Sequence, residues 1–155
     1  MQKTWMKWIG LTLAPCLAIF MVAGCGGGDG SGDKLLADAN KTSMDRICTL
    51  YSSFQLVNQG NGPSDEATFR SFISERPPLQ LERIGVDPSD LDSIFISDRD
   101  NEPYEILWSV AADQRSEPVA IIAEKTGVDG MRMIGFHRKP HREVEEAEYK
   151  QLFGN

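Results

Sequence analysis

The sequence predicts an α+β domain in which helices come first and a meander of antiparallel strands follows. Apolar side chains repeat at helical spacing in residues 41–58, whereas apolar and polar side chains alternate in residues 104–110. Residues 119–123 form a continuous apolar run, which is typical of a strand buried on both faces. We therefore expect an N-terminal amphipathic helix and a short second helix to pack on a three- or four-stranded antiparallel sheet, with a short helix at the C-terminus.

The first helix is predicted over residues 41–58. Its apolar stripe follows i, i+3, i+4 spacing and comprises Met44, Ile47, Cys48, Tyr51 and Phe54. Thr42, followed three residues later by Asp45, has the form of a capping box at the start of this helix. Because Cys48 lies on the apolar stripe, we interpret it as a small buried hydrophobic residue and not as a reactive thiol.

A second, shorter helix is predicted over residues 65–75. Ser64 is the expected N-cap, and acidic residues follow in the first turn, where the helix dipole favours them. A Gly-Asn-Gly-Pro stretch at residues 60–63 separates the two helices, and the Pro77-Pro78 pair ends the second one. Residues 79–91 have the composition of turns and loops.

Two strands are predicted next, before the buried one. Residues 93–97 are expected to form a short strand. Residues 104–110 are expected to form a longer one, whose apolar face comprises Tyr104, Ile106, Trp108 and Val110.

The last elements are a hairpin and a helix. Residues 126–130 contain the glycines of a hairpin loop, and residues 131–136 are predicted to return as the partner of the buried strand. Residues 143–153 have apolar side chains spaced for a short helix, although Val144 could instead end a strand.

Residues 1–24 have the three zones of an export signal. Lys3 and Lys7 supply a positive start, residues 9–23 are a run of 15 mostly apolar residues, and small residues precede Cys25. The run is shorter than the roughly 20 apolar residues that a transmembrane helix needs. An ordinary secretory signal that happens to end near a cysteine is the alternative interpretation.

The stretch Val22-Ala23-Gly24-Cys25 resembles the lipobox of bacterial lipoproteins. The resemblance implies signal cleavage between Gly24 and Cys25, a diacylglyceryl thioether on Cys25, and usually a third acyl chain such as palmitate on the new amino terminus. Two or more acyl chains hold a protein stably on a membrane. The lipid bilayer is therefore an expected partner, and the expected location is the cell envelope, facing the periplasm.

The predicted domain organisation follows from this signal. Residues 25–33 would be the lipidated cysteine and a glycine-rich tether, since glycine-rich chains form helices and strands poorly. Residues 34–155 would be a single globular domain. Gly26 stands where lipoproteins of the inner membrane tend to carry aspartate, so the resemblance favours the outer membrane over the inner one.

Charge and cysteine content narrow the possible functions. The chain has a net charge of −7, and removal of Lys3 and Lys7 with the signal would make it −9. A domain this acidic is not a general nucleic-acid binder. Of the three cysteines, Cys16 would be lost with the signal and Cys25 lipidated, which leaves Cys48 without a disulfide partner in the domain.

Two stretches are similar to type II secretion pseudopilins. Leu50-Tyr51 through Gly60 and Pro63 to Pro77 resembles the end of a pilin-type helix and the loop after it. Residues 98–104, in which Pro103-Tyr104 opens a strand, resemble the turn of major pseudopilins. The resemblance implies an N-terminal helix packed on an antiparallel sheet, with calcium bound near this turn. The chain is also similar to small planctomycete lipoproteins, a resemblance that implies no activity.

Two clusters are candidate sites. Asp98, Asp100 and Glu102 place acids at alternate positions of one loop, which is one way to supply the oxygen ligands of calcium; a solvated turn is the alternative. His137 and His141 flank Arg138-Lys139-Pro140, but two histidines are too few for a metal site. We interpret this stretch as a basic surface turn that could meet phosphate groups or an acidic partner.

No catalytic motif is evident, so two hypotheses of function remain. The first is a non-catalytic, membrane-tethered interaction or structural domain that binds an unknown envelope protein. The second is an envelope enzyme with an unrecognised site built from Asp98, Asp100, Glu102 and His137. An enzyme needs a concave pocket in which those groups converge.

Overall fold

The computed structural model describes residues 39–112 and 119–154 of the chain. The predicted signal, Cys25 and the glycine-rich tether lie outside these residues. In the described part, three α-helices precede a four-stranded antiparallel sheet and a fourth helix follows it, which confirms the predicted α+β class. No helix within the described ranges is long and apolar enough to cross a bilayer.

Helix α1 spans Ser43–Val57 and begins at the predicted capping box. The Asp45 backbone N–H donates to Thr42 Oγ1 at 3.1 Å, and the Thr42 N–H donates to the Asp45 carboxylate at 2.9 Å. The predicted apolar stripe is buried, and Cys48 is buried with it, as expected. The helix ends where Gln59 and Gly60 adopt positive φ angles of 56° and 88°.

Helix α2 spans Glu66–Ser74, and its N-cap is Asp65 instead of the predicted Ser64. The Asp65 carboxylate accepts from the Thr68 N–H at 2.7 Å, because an ionised carboxylate is a stronger acceptor than a hydroxyl. Helix α3, Pro78–Arg83, occupies residues that we predicted to be loop. Pro78 stands in its first turn, where proline's fixed φ suits a helix and its missing N–H is not needed.

The prediction of a strand over residues 93–97 is wrong. Ser93–Phe95 is a 3₁₀-helix, because Ile94 and Phe95 are both buried and a strand would point adjacent side chains to opposite faces. The second predicted strand is shortened to β1, Glu105–Ile106. Its sidedness is nevertheless confirmed, since the predicted apolar face packs on the core below α1 whereas Leu107 packs on the other side of the sheet.

The rest of the sheet follows the predicted hairpin. Strand β2 spans Ala120–Ala123 and is buried throughout, and β3 spans Met131–Phe136. Gly127 and Gly130 in the connecting loop have φ angles of 76° and 79°. Strand β4, Lys139–Glu145, was not predicted, and Val144 belongs to it because it pairs with Arg132 of β3. The helix predicted over residues 143–153 is therefore shortened to α4, Glu146–Phe153.

The strands lie in the order β1-β2-β3-β4, so β1 and β4 are the two edges. Helix α1 packs on one face of this meander and α4 on the other. Gly135 of β3 lies under α1, where a Cβ atom would come within 2.5 Å of Ile122 and 2.7 Å of the Cys48 sulfur. The long helix therefore depends on a residue without a side chain for its close approach to the sheet.

Candidate functional site

Asp98, the first of the three predicted loop acids, receives hydrogen bonds from the start of α1. Its Oδ2 atom accepts from the Ser43 N–H at 2.5 Å and from the Ser43 hydroxyl at 2.8 Å. The first N–H groups of a helix have no partner within the helix and favour a nearby negative charge. Asp98 therefore fixes the loop to the N-terminus of α1.

Asp100 holds the β2–β3 hairpin loop instead. Its Oδ2 atom accepts from the Gly127 N–H at 2.7 Å and from the Thr126 N–H at 3.1 Å. Burial acts to raise the pKa of Asp100, but the hydrogen bonds from the backbones of Gly127 and Glu102 outweigh it, so the pKa lies below its usual value. The carboxylate is thus a structural acceptor.

The three acids do not converge as a calcium site would require. Asp98 and Asp100 are engaged by different elements, and Glu102 is exposed. In the ranges that the structure describes, no group of three or more His, Cys, Asp or Glu side chains is placed to hold a metal ion. The geometry favours a structural role for Asp98 and Asp100 over the calcium hypothesis.

A buried acid that we did not predict lies beside this loop. Glu124 is 1 % exposed, accepts from the Met133 N–H at 2.8 Å and from the Ser97 hydroxyl at 3.2 Å, and lies 3.5 Å from Arg99 Nε. Arg99 extends on to Glu143 at 2.7 Å. The sequence did contain one indication of this site, because Glu124 directly follows the fully apolar strand β2. An acid in that position is buried unless the chain turns towards solvent at once.

The two histidines have different surroundings, and neither lies in an exposed turn as predicted, since His141 is a half-buried residue of strand β4. His137 is 8 % exposed, and its burial, together with the charge of Arg138, lowers its pKa. His141 pairs with Asp45 of α1, with Nε2 and Oδ1 2.5 Å apart. The prediction of a basic surface turn is therefore wrong for both histidines, because the β3–β4 turn folds His137 towards Ser52 of α1 and His141 is part of β4, which pairs with β3.

The structure does not bring together the residues of the hypothetical enzyme site, which were the three loop acids and His137. Asp100 contacts the hairpin loop that precedes β3, whereas His137 follows the other end of that strand. Six strand residues at about 3.3 Å each separate these two positions by roughly 20 Å. The acids and the histidine therefore do not share a pocket.

A cleft of about 500 Å³ lies elsewhere, between α2, the 3₁₀-helix and β1. Its apolar lining is Phe95, Ile96, Pro103, Tyr104, Ile106 and Trp108. On its helical side, Arg70 lies 3.9 Å above the Phe95 ring and pairs with Glu66 at 2.6 Å and Asp92 at 2.7 Å. The sequence did not predict the cleft because its walls come from three separate segments.

Strand β1 forms one wall of the cleft and is an edge of the sheet. The Leu107 N–H donates to Ile121 of β2 at 2.9 Å, whereas the Tyr104 N–H points the other way, to the Phe95 carbonyl at 3.0 Å. Because backbone groups alternate in direction along a strand, the N–H and C=O of Ile106 point away from β2, towards the cleft side.

The described part of the chain begins at the opposite edge of the sheet. Ala39, the first described residue, lines a surface depression together with Pro140 and His141 of β4 and with Asp45 of α1. The cleft along β1 and the start of the described chain are therefore separated by the width of the sheet.

Comparison of the chain with models of protein families, with curated proteins and with solved structures found no match.

Proposed function

We propose that the protein is a lipoprotein of the bacterial cell envelope, anchored through acylated Cys25, whose folded domain binds another envelope component without catalysis. The observation that carries the proposal is the Val22-Ala23-Gly24-Cys25 stretch at the end of an apolar run that follows Lys3 and Lys7. Two or more acyl chains on this cysteine would hold an acidic domain on a membrane whose lipids repel it.

The placement of the cleft supports an interaction role. The described chain begins beside β4, and the predicted glycine-rich tether would leave the domain free to turn above the membrane. Three strand spacings of about 4.8 Å separate β4 from β1, so the cleft lies roughly 14 Å across the sheet from the start of the described chain. The cleft would then be accessible to partners in the periplasm.

The alternatives have less support. An enzyme built from the acidic loop and His137 would need groups that lie at opposite ends of β3. A pseudopilin-like calcium domain would need Asp98 and Asp100 as ligands, but Ser43 and Gly127 already donate to these carboxylates.

To test the proposal, bacteria that express the protein are grown in medium that contains an alkyne-tagged fatty acid. The amino-terminal peptide of the purified protein is then analysed by mass spectrometry. We expect label on the protein and a processed chain that starts at acylated Cys25. Cys25→Ala should abolish the label, whereas the matched variant Cys16→Ala, within the predicted signal, should retain it. An intact leader, or a processed start without added hydrocarbon, would contradict the proposal.

A further inference from the structure

We propose that the cleft along β1 binds an extended peptide segment of a partner protein, added to the sheet as a fifth strand, with a basic side chain next to Glu66 and Asp92. The inference rests on the proposed function, because it names the partner class of the interaction domain. Three features of the cleft support this binding mode: the free strand edge, the apolar lining and the charge.

The strand edge offers hydrogen bonds to an extended chain. The Ile106 N–H and C=O point away from β2, and the pairing of described residues on that side ends with the Ile96–Pro103 bridge and the Tyr104–Phe95 hydrogen bond. Exposed sheet edges recruit extended peptides through main-chain hydrogen bonds, and neighbouring pockets then select side chains. A segment lying along Ile106 would continue the meander by one strand.

The walls supply apolar contact area. Ile106, Trp108 and Tyr104 are half-buried on the strand side, and Ile96 is 37 % exposed on the other side. Trp108 is held in place by Phe69 of α2, with ring centroids 6.2 Å apart. A fixed aromatic side chain binds apolar groups at little cost in conformational entropy, so this wall suits alternate apolar side chains of an added strand.

The charge of the cleft selects a basic segment. The carboxylates of Glu66 and Asp92 are 54 % and 86 % exposed, and the single guanidinium of Arg70 lies between them. Glu105 also lines the cleft, although its carboxylate accepts from the Tyr149 hydroxyl on the other face of the sheet. Because acids outnumber the one cation, a Lys or Arg would be attracted and an acidic side chain repelled.

The contacts of Arg70 show that this side of the cleft accommodates a cation. Its guanidinium lies over the Phe95 ring and contacts two carboxylates at once. Cations are attracted to the faces of aromatic rings, and the attraction adds to that of the acids. A basic side chain from a partner would meet the exposed sides of the same carboxylates.

The test uses the tryptophan fluorescence of the mature, lipidated protein purified in detergent. The chain contains Trp5, Trp8 and Trp108, so cleavage before Cys25 would leave Trp108, in the cleft, as the only tryptophan. The probes are two unlabelled heptapeptides without aromatic residues, Val-Thr-Val-Lys-Val-Thr-Val and the same peptide with Glu in place of Lys. We expect the Lys peptide to shift the emission of Trp108 and to bind at least ten times more tightly than the Glu peptide.

Variants assign the binding to the cleft. The double variant Glu66→Gln/Asp92→Asn should weaken binding of the Lys peptide at least ten-fold. The matched control Glu82→Gln/Glu145→Gln removes two exposed acids outside the cleft and should leave binding unchanged. Ile106→Pro, which deletes the outward N–H, should weaken the binding of both peptides. The melting temperature of this variant shows whether it is folded.

Three results would overturn the inference: no emission shift with either peptide, equal affinity for the two peptides, or binding that the cleft variant and its control alter equally. A concentration-dependent dimer that Ile106→Pro abolishes would assign the edge to a second copy of the chain and overturn it as well. Each of these results leaves the acylation of Cys25 unchanged. A failure here is therefore distinguishable from a failure of the proposed function.

Discussion

Replacing Asp98 tests whether the acidic loop is a structural acceptor or a calcium site. In Asp98→Ala, the Ser43 hydroxyl can donate to the Ile96 carbonyl, which lies 2.7 Å away, but the Ser43 N–H loses its carboxylate acceptor. Ser43 is 1 % exposed, so the orphaned donor has poor access to water. Leaving a buried donor unsatisfied costs about 1–3 kcal/mol, and the lost charge at the helix N-terminus adds about 0.3–1 kcal/mol.

The expected loss is therefore about 2–3 kcal/mol in the free energy of unfolding. With an unfolding entropy of about 2.1 cal/mol/K per residue, a domain of roughly 120 residues should melt about 10 °C lower. Thermal unfolding followed by circular dichroism measures this shift. Asp98→Asn, which keeps an oxygen acceptor without the charge, should lose about half as much.

Glu102→Gln is the matched control, because it removes an exposed acid from the same loop. A surface substitution of this kind should change stability by less than about 0.5 kcal/mol. The calcium hypothesis predicts instead that Asp98→Ala and Glu102→Gln lose similar stability, and that EDTA lowers the melting temperature of the unmodified protein. Either of those results, or an Asp98→Ala domain as stable as the parent, would refute the structural account.

Two further predictions concern the core and the dependence on pH. Gly135→Ala should destabilise the domain by about 1–3 kcal/mol, because its Cβ would overlap Ile122 and the Cys48 sulfur, and denaturant melts should show a smaller loss when Cys48→Ala is also present. Burial and the charge of Arg138 lower the pKa of His137 in the folded domain. As the pH falls below about 6.5, His137 therefore becomes protonated in the unfolded chain before it does in the folded domain, which favours unfolding. Stability should therefore fall between pH 7.5 and 5.5, and His137→Gln should flatten that slope in melts across the range; an unchanged slope would exclude His137 as its origin.

Local patterns were sufficient where every interaction that defines an element lies within a few residues. Thr42 and Asp45 cap α1 three residues apart, and the glycines of the β2–β3 loop supply the positive φ angles of a tight turn. Local patterns gave the wrong element at residues 93–97, because a short apolar run of this kind is compatible with a strand and with a 3₁₀-helix. The choice between the two depended on Ile94 and Phe95 packing together in the core.

The candidate sites required more than local information. The alternate spacing of Asp98 and Asp100 singled them out, but their donors lie 55 and 27 residues away along the chain. Glu124 was missed because its partners, Arg99 and Ser97, belong to that same distant loop. The cleft combines α2, the 3₁₀-helix and β1, and no single segment carries its pattern.

The residues alone establish that helices precede the sheet, the apolar face of α1, the tight hairpin and the lipobox-like stretch before Cys25, since neighbouring residues carry each of these signals. Which carboxylate meets which donor, which strand forms an edge, and where a groove opens were settled by folding. Hydrogen bonds and apolar contacts act over a few ångströms of space whatever the separation in sequence, and packing alone brings distant residues within that range.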